Sequence, residues 1–272
     1  MKRVILALLA CLALGACAQG ADRASGTARR IISLDYCADQ YVLRFAKRGD
    51  IIALSPEARR RYSYLRAEAE GLPQVRPRTA DVLALGPTLV VRSYGGGPGI
   101  EAFLERAGVK VVQLGYPETL AEVRAEVIRV GTQLGDPRGA QGLAADMDRR
   151  LAELGSRSGK PREALYVTPG GVTAGPDTMI DELLRAAGLA NFQQRPGWNP
   201  IPLERLAYQR PDLVALGFFE AKPVAPWSAA RHPVARAQLE ELPVVLLEGA
   251  WTSCGAWFLV DAVEALAAGA AP

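Results

Sequence analysis

"ADVLALGPTLVVRS", residues 80–93, can be laid on a second stretch of the same chain, "ERLAYQRPDLVALG", residues 204–217. Pro87 then falls on Pro211, and each copy reads as a short helix, a proline that blocks its continuation, and a buried apolar strand. Further on, "KVVQLG" (110–115) falls on "VVLLEG" (244–249), with Gly115 on Gly249. One half of the chain repeats the other in outline, which predicts two similar lobes.

The wider pattern agrees. Apolar, β-rich runs alternate with helix-like segments: "RIISL", "DIIAL", "TLVVR" and "VKVVQLG" in the first half, then "EALYVT", "PDLVALG" and "PVVLLEG" in the second. Near-continuous apolar strands separated by helices mean parallel sheets covered on both faces. The predicted fold class is α/β: two Rossmann-like lobes with small parallel sheets, joined by one long helix. That helix is placed at residues 136–155, where Asp136 and Pro137 form an N-cap and first-turn pair, and Leu143, Met147, Leu151 and Leu154 recur at helical spacing. The lobes are placed at residues 29–135 and 160–270.

The chain begins with Lys2, Arg3 and an apolar run from Val4 to Ala16, too short for a permanent membrane span and suited to an export signal over residues 1–17. "LGAC", residues 14–17, resembles a bacterial lipobox with Cys17 as the lipidated residue, and residues 18–28 then form a flexible tether. Ordinary cleavage within "ACAQG" is the alternative. Both readings place the protein outside the cytoplasm.

Of 272 residues, 49% are hydrophobic, enough for a sizeable core, and the formal charge of +3 falls further without Lys2 and Arg3. No basic run stands out, so nucleic acid is not an expected partner. Cys37 and Cys254 remain in the folded part. An oxidising compartment permits their pairing, but sequence alone does not place their Cα atoms, 217 positions apart, close enough for a bond, and two separately buried thiols are the favoured expectation.

Catalytic machinery is not visible. The single histidine, His232 in "ARHPVAR", precedes a proline where a helix begins and reads as a cap; no "GxSxG" or "HExxH" is present. Asp35 and Asp39 in "LDYCADQ" read as an N-cap and a first-turn carboxylate rather than an acid–base pair. The chain is expected not to be an enzyme and to hold neither cofactor nor bare metal, because soft-to-borderline ions favour several nitrogen donors.

"RSYGGGPG", residues 92–99, lacks the spacing of a phosphate-binding glycine loop. It follows a strand, and ligands of open parallel sheets sit beyond the carboxyl ends of strands. Arg92, Tyr94, Gly95 and Gly96 are therefore candidate ligand-binding residues, with Arg92 as an anion partner and the glycines allowing close approach. Other strand ends and turn-rich segments add Tyr36, Tyr116, Phe218, Phe219, Trp251, Trp198 and Trp227. Aromatics on facing rims suit a large, flat or partly apolar ligand.

Two α/β lobes joined by a long helix resemble the substrate-binding proteins of ABC importers, in the class that carries ferric siderophores, haem, cobalamin or metal ions. The resemblance spans about Arg29 to Ala268 and is carried by "RIISLDYCADQ", "ADVLALGPTLVV", "GVKVVQLG", "GVTAGPDTMIDELLRAAGLAN" and "LERLAYQRPDLVALG". It implies a monomeric periplasmic protein that captures a metal chelate in the interlobe cleft and delivers it to an inner-membrane permease and its ATPase. It also implies docking through a glutamate on each lobe, with Glu101, Glu105 and Glu220 as the nearest candidates. Haem would add an axial ligand, for which Tyr36, Tyr94 or Tyr116 is available. An exported α/β enzyme, or a sensor that uses the same cleft, is the alternative.

Overall fold

The structure is a computed structural model that describes residues 29–154, 160–218 and 231–270. The segments expected to be an export signal and a tether, with Cys17, and Phe219, Glu220 and Trp227 lie outside the described residues.

The first lobe contains β1 (Ile31–Ser33), α1 (Tyr36–Phe45), β2 (Ile51–Ala53), α2 (Thr79–Ala84), β3 (Leu89–Arg92), α3 (Ile100–Arg106) and β4 (Lys110–Gln113). Its four strands are all parallel, in the order β2-β1-β3-β4. Two helices follow, α4 (Leu120–Leu134) and α5 (Pro137–Leu154), and they pack along each other. The second lobe contains β5 (Glu163–Val167), β6 (Val172–Ala174), α6 (Met179–Ala186), β7 (Ala190–Asn191), β8 (Trp198–Pro200), α7 (Leu203–Leu206), β9 (Leu213–Phe218), α8 (Pro233–Leu239), β10 (Val244–Glu248), α9 (Gly249–Thr252) and α10 (Leu259–Gly269).

The second sheet runs β7-β5-β9-β10, again all parallel, which is the topology of the first sheet repeated. The match of Pro87 to Pro211 survives, since it superposes Leu89 on Leu213 at the start of β3 and β9. The match of Gly115 to Gly249 is one residue out of register. Val90 pairs with Val111 and Val214 with Val244, so the structural counterpart of Val111 is Val244. Side chains alternate between faces along a strand, so only this register puts Val112 and Val245 both on the buried face. The antiparallel pair β6-β8 has no counterpart in the first lobe, and sequence patterning missed both it and the two-residue β7.

Local chemistry explains the helix ends. Asp35 caps α1 by accepting from Ala38 N, and Thr119 caps α4 by accepting from Glu122 N. Gly135, with φ of 95°, ends α4, and Asp136 Oδ1 accepts from Gly139 N to start α5. His232 Nδ1 accepts from Val234 N at the start of α8, the capping role read from sequence. The 18 residues of α5 give a rod of about 27 Å at about 1.5 Å per residue.

That rod is not the sole link between the lobes. One hydrophobic core runs through both: it joins Ile31, Tyr41 and Val91 to Tyr166, Leu183, Leu247 and Trp257, with Met147 of α5 between. Separate smaller cores cover the outer face of each sheet. Tyr64 of the first lobe stacks on Phe258 with centroids 4.5 Å apart, and its hydroxyl donates to Asp261 on α10. Arg150 on α5 bonds both Asp261 and Glu264. Cys37 of α1 and Cys254, in the turn between α9 and α10, form a disulfide with Cα atoms 5.6 Å apart. Separately buried thiols were the expectation, and the fold overturns it. The shared core brings the start of α1 against the α9–α10 turn, a proximity that sequence distance conceals.

Candidate ligand-binding site

The site is organised by Asp35, which is fully buried at the carboxyl end of β1. Its Oδ1 caps α1, while its Oδ2 accepts from the backbone N–H groups of Ser93, Tyr94 and Gly95 at 2.7, 3.2 and 3.0 Å. One carboxylate thus fixes the helix and the glycine loop to each other. Asp39, one turn along, accepts from Ser33 Oγ, Ser55 N and Ser55 Oγ, tying the ends of β1 and β2 together. Burial pushes its carboxyl up to about 7, against the opposing pull of those hydrogen bonds.

Arg92 has a different task from the anion partner expected of it. It is only 8% exposed, and its guanidinium donates to Gly95 O, Gln113 Oε1 and Gly97 O at 2.9, 3.0 and 3.2 Å. The charge holds the loop in shape. The glycines likewise serve the loop: a Cβ on Gly95 would stand 2.3 Å from Leu34 O, and Gly96, with φ of 83°, packs on Ile100. They allow the loop to approach the protein's own backbone, in place of the ligand approach read from sequence.

The three tyrosines singled out in the first lobe do come together. Tyr36, Tyr94 and Tyr116 line one cavity of about 220 Å3, with Ser93 beside them and Ser253, Cys254 and Gly255 of the second lobe opposite. Tyr36 Oη donates to Ser253 O at 3.1 Å, and Tyr94 Oη donates to Glu57 Oε2 at 3.0 Å. Burial, with the carboxylates of Glu57 and Asp35 nearby, raises the Tyr36 phenol; burial and Glu57 raise Tyr94. Both are therefore neutral phenols at physiological pH. Tyr116 is 73% exposed and offers its ring to the cavity mouth.

The second-lobe candidates are more scattered. Trp198 is 60% exposed on β8, its ring edge-on to Tyr166 with centroids 6.1 Å apart. Trp251 is half-buried on α9 and packs on the shared core. Neither lines the tyrosine cavity, and Phe218 is the last residue of β9. Glu101 and Glu105 lie on α3, which begins beyond the carboxyl end of β3.

Sequence reading passed over the loop after β2. Tyr62, within it, stands edge-on to Tyr36 at 5.0 Å and donates to Glu57 Oε1 at 2.7 Å, so Glu57 bridges two tyrosine hydroxyls. Ser253 Oγ donates to Tyr62 O from across the lobes at 3.0 Å. The available signal was "PEARRRYSY", which follows a strand like the other candidates. Among the described residues no group of three histidine, cysteine, aspartate or glutamate side chains is placed to hold a metal ion.

Comparison with known proteins places this geometry. A protein-family model described as periplasmic binding protein matches residues 73–223, more than half of the chain. Among solved structures, the chain is similar to a periplasmic haem-binding protein of Vibrio cholerae, with TM-score 0.75, 17% identity, and coverage of 90% of this chain and 100% of that one. It is similar to a periplasmic haem-binding protein from Pseudomonas aeruginosa, with TM-score 0.66, 22% identity, and coverage of 89% and 92%. The periplasmic vitamin B12-binding protein of Vibrio cholerae matches with TM-score 0.63, 21% identity, and coverage of 89% and 96%. At these identities the likeness is one of fold. No curated protein matches the sequence. Two parallel-sheet lobes, a helical connection and a cavity walled by both lobes agree with the family match: the chain belongs to the periplasmic binding proteins, a family of solute-binding proteins rather than enzymes.

Proposed function

We propose that this protein captures a metal chelate, of the ferric siderophore, haem or cobalamin kind, in the cavity between its lobes and delivers it to an ABC permease. The observation that carries the reading is the convergence of Tyr36, Tyr94 and Tyr116 on one cavity whose opposite wall belongs to the other lobe. Aromatic faces and neutral hydroxyls suit the broad, partly apolar surface of a chelate. Haem and vitamin B12 are what two of the similar proteins are named for binding, which supports this class of solute.

Within this reading Tyr116 is the phenol available to a bound metal, since the hydroxyls of Tyr36 and Tyr94 already donate within the protein. Cys17 carries a lipid that tethers the protein to the membrane. Delivery proceeds by docking of one glutamate on each lobe, Glu101 or Glu105 on the first and Glu220 on the second, against arginines of the permease, pairs that steer encounter more than they fix affinity.

Titration of tryptophan fluorescence with haem, cyanocobalamin and ferric siderophores tests the proposal, with zinc and manganese ions as controls. At least one chelate should quench saturably with one site per chain. Tight binding of bare zinc and of no chelate would overturn it.

A further inference from the structure

The tyrosine cavity continues past its mouth. A second cavity, of about 420 Å3, shares Gly115, Tyr116, Pro117 and Glu126 with the first and runs along α4 past Glu122 and Arg129. Together they form an elongated site, with the tyrosine cavity as its head and the α4 surface as its arm.

The charge of this site is net negative. Its lining carries two carboxylates, Glu122 and Glu126, and one guanidinium, Arg129. Arg129 is already held by both oxygens of Glu126, at 2.7 and 2.8 Å, and by Gln113 O. Glu57 adds a third carboxylate behind Tyr94. Arg92 is locked into the glycine loop, and the exposed Arg60 and Arg61 belong to neither lining. Glu122 Oε2 accepts from Glu118 N, which leaves its other oxygen for a ligand.

We propose that the joined cavities select a neutral or cationic chelate, a ferric hydroxamate in class, whose amine-bearing arm lies along α4 against Glu122. The inference rests on the chelate reading above and narrows it. A polyanionic chelate would give up its hydration and meet Glu122 and Glu57 with no free cation in the lining to compensate, whereas an ammonium group gains a carboxylate partner.

The test compares a linear ferric trihydroxamate bearing a free ammonium tail with its macrocyclic counterpart lacking one, and with a triply negative ferric tricatecholate. The titrations use tryptophan fluorescence of the whole exported protein. The linear chelate should bind about fivefold more tightly than the macrocycle, the scale of one partly exposed ion pair, and the tricatecholate should be the weakest. Glu122→Gln, which keeps the hydrogen bond to Glu118 N, should bring the ratio of linear to macrocyclic affinity towards one. Equal affinity for the two trihydroxamates, a ratio unchanged by Glu122→Gln, or tightest binding of the tricatecholate would overturn the inference. If haem or cyanocobalamin binds and neither trihydroxamate does, this inference fails and the chelate reading stands. If no chelate binds, both fail.

Discussion

Tyr36, in the first turn of α1, donates its hydroxyl hydrogen to the carbonyl oxygen of Ser253, 217 positions later and 3.1 Å away. The bond crosses from one lobe to the other at the wall of the cavity. Beside it run the disulfide of Cys37 with Cys254 and a bond from Tyr41 Oη to Gly255 O at 3.1 Å. The lobes are therefore pinned where the ligand would sit, as well as along α5. Wide hinge opening would have to break these ties and split a shared core. Small-angle scattering curves of free and chelate-loaded protein should nearly superimpose, and a large compaction on loading would contradict the account.

The disulfide should contribute strongly to stability. It closes a loop of 217 positions, and the loss of chain freedom in the unfolded state is of the order of 3–5 kcal/mol for so long a loop. Cys37→Ser with Cys254→Ser should lower the free energy of unfolding by about that amount, read as a lower denaturation midpoint, and reduction of the wild-type protein should do the same. An unchanged midpoint in both experiments would show that the shared core alone holds the turn between α9 and α10.

Arg92 and Tyr94 are neighbours with opposite expected phenotypes. Arg92→Ala removes three hydrogen bonds from a buried site and leaves Gly95 O, Gln113 Oε1 and Gly97 O without that partner, at a cost of about 2–3 kcal/mol in stability. Tyr94 is 44% exposed, so Tyr94→Ala should leave the melting temperature nearly unchanged while weakening chelate binding about tenfold. Thermal melts together with titrations separate the two, and the reverse pattern would reassign both residues.

Asp39 makes stability depend on pH in an unusual direction. Its folded carboxyl titrates at about 7, raised by burial, whereas an unfolded aspartate titrates at about 3.9. Between these values the folded state keeps a proton that the unfolded state has released. Its contribution is complete below about pH 4 and is lost as pH rises through 7, by at most about 1.4 kcal/mol per pH unit. Asp39→Asn, which resembles the protonated acid, should remove this slope from melts between pH 5 and 8. An identical slope in wild type and variant would place the proton elsewhere.

Much of the fold was legible because a proline and a run of apolar residues mark each copy of the central strand: Pro87 before Leu89, Pro211 before Leu213. Composition cannot report register, so Gly115 and Gly249 looked equivalent when Val111 and Val244 are the true partners. The tyrosines were legible as residues at strand ends. Tyr62 was not, because it lies well beyond the end of β2 inside the charged run "PEARRRYSY", and only the folding back of that loop brings it against Tyr36. Arg92 was misread because a guanidinium at the end of a strand can face a ligand or its own loop, and only the carbonyls of Gly95 and Gly97 decide which. The disulfide was hidden for a similar reason: it depends on how two lobes meet, and each half of the sequence describes only itself.

The central claim, that the tyrosine-lined cavity between the lobes binds a chelate, is tested most directly by fluorescence titration of wild type and of Tyr94→Ala with Tyr116→Ala, using whichever chelate binds wild type most tightly. The account predicts saturable binding to wild type and a loss of about a hundredfold or more in the double variant, the sum of two aromatic contacts, with little change in melting temperature. Equal affinity in both proteins would place the ligand elsewhere and contradict the account.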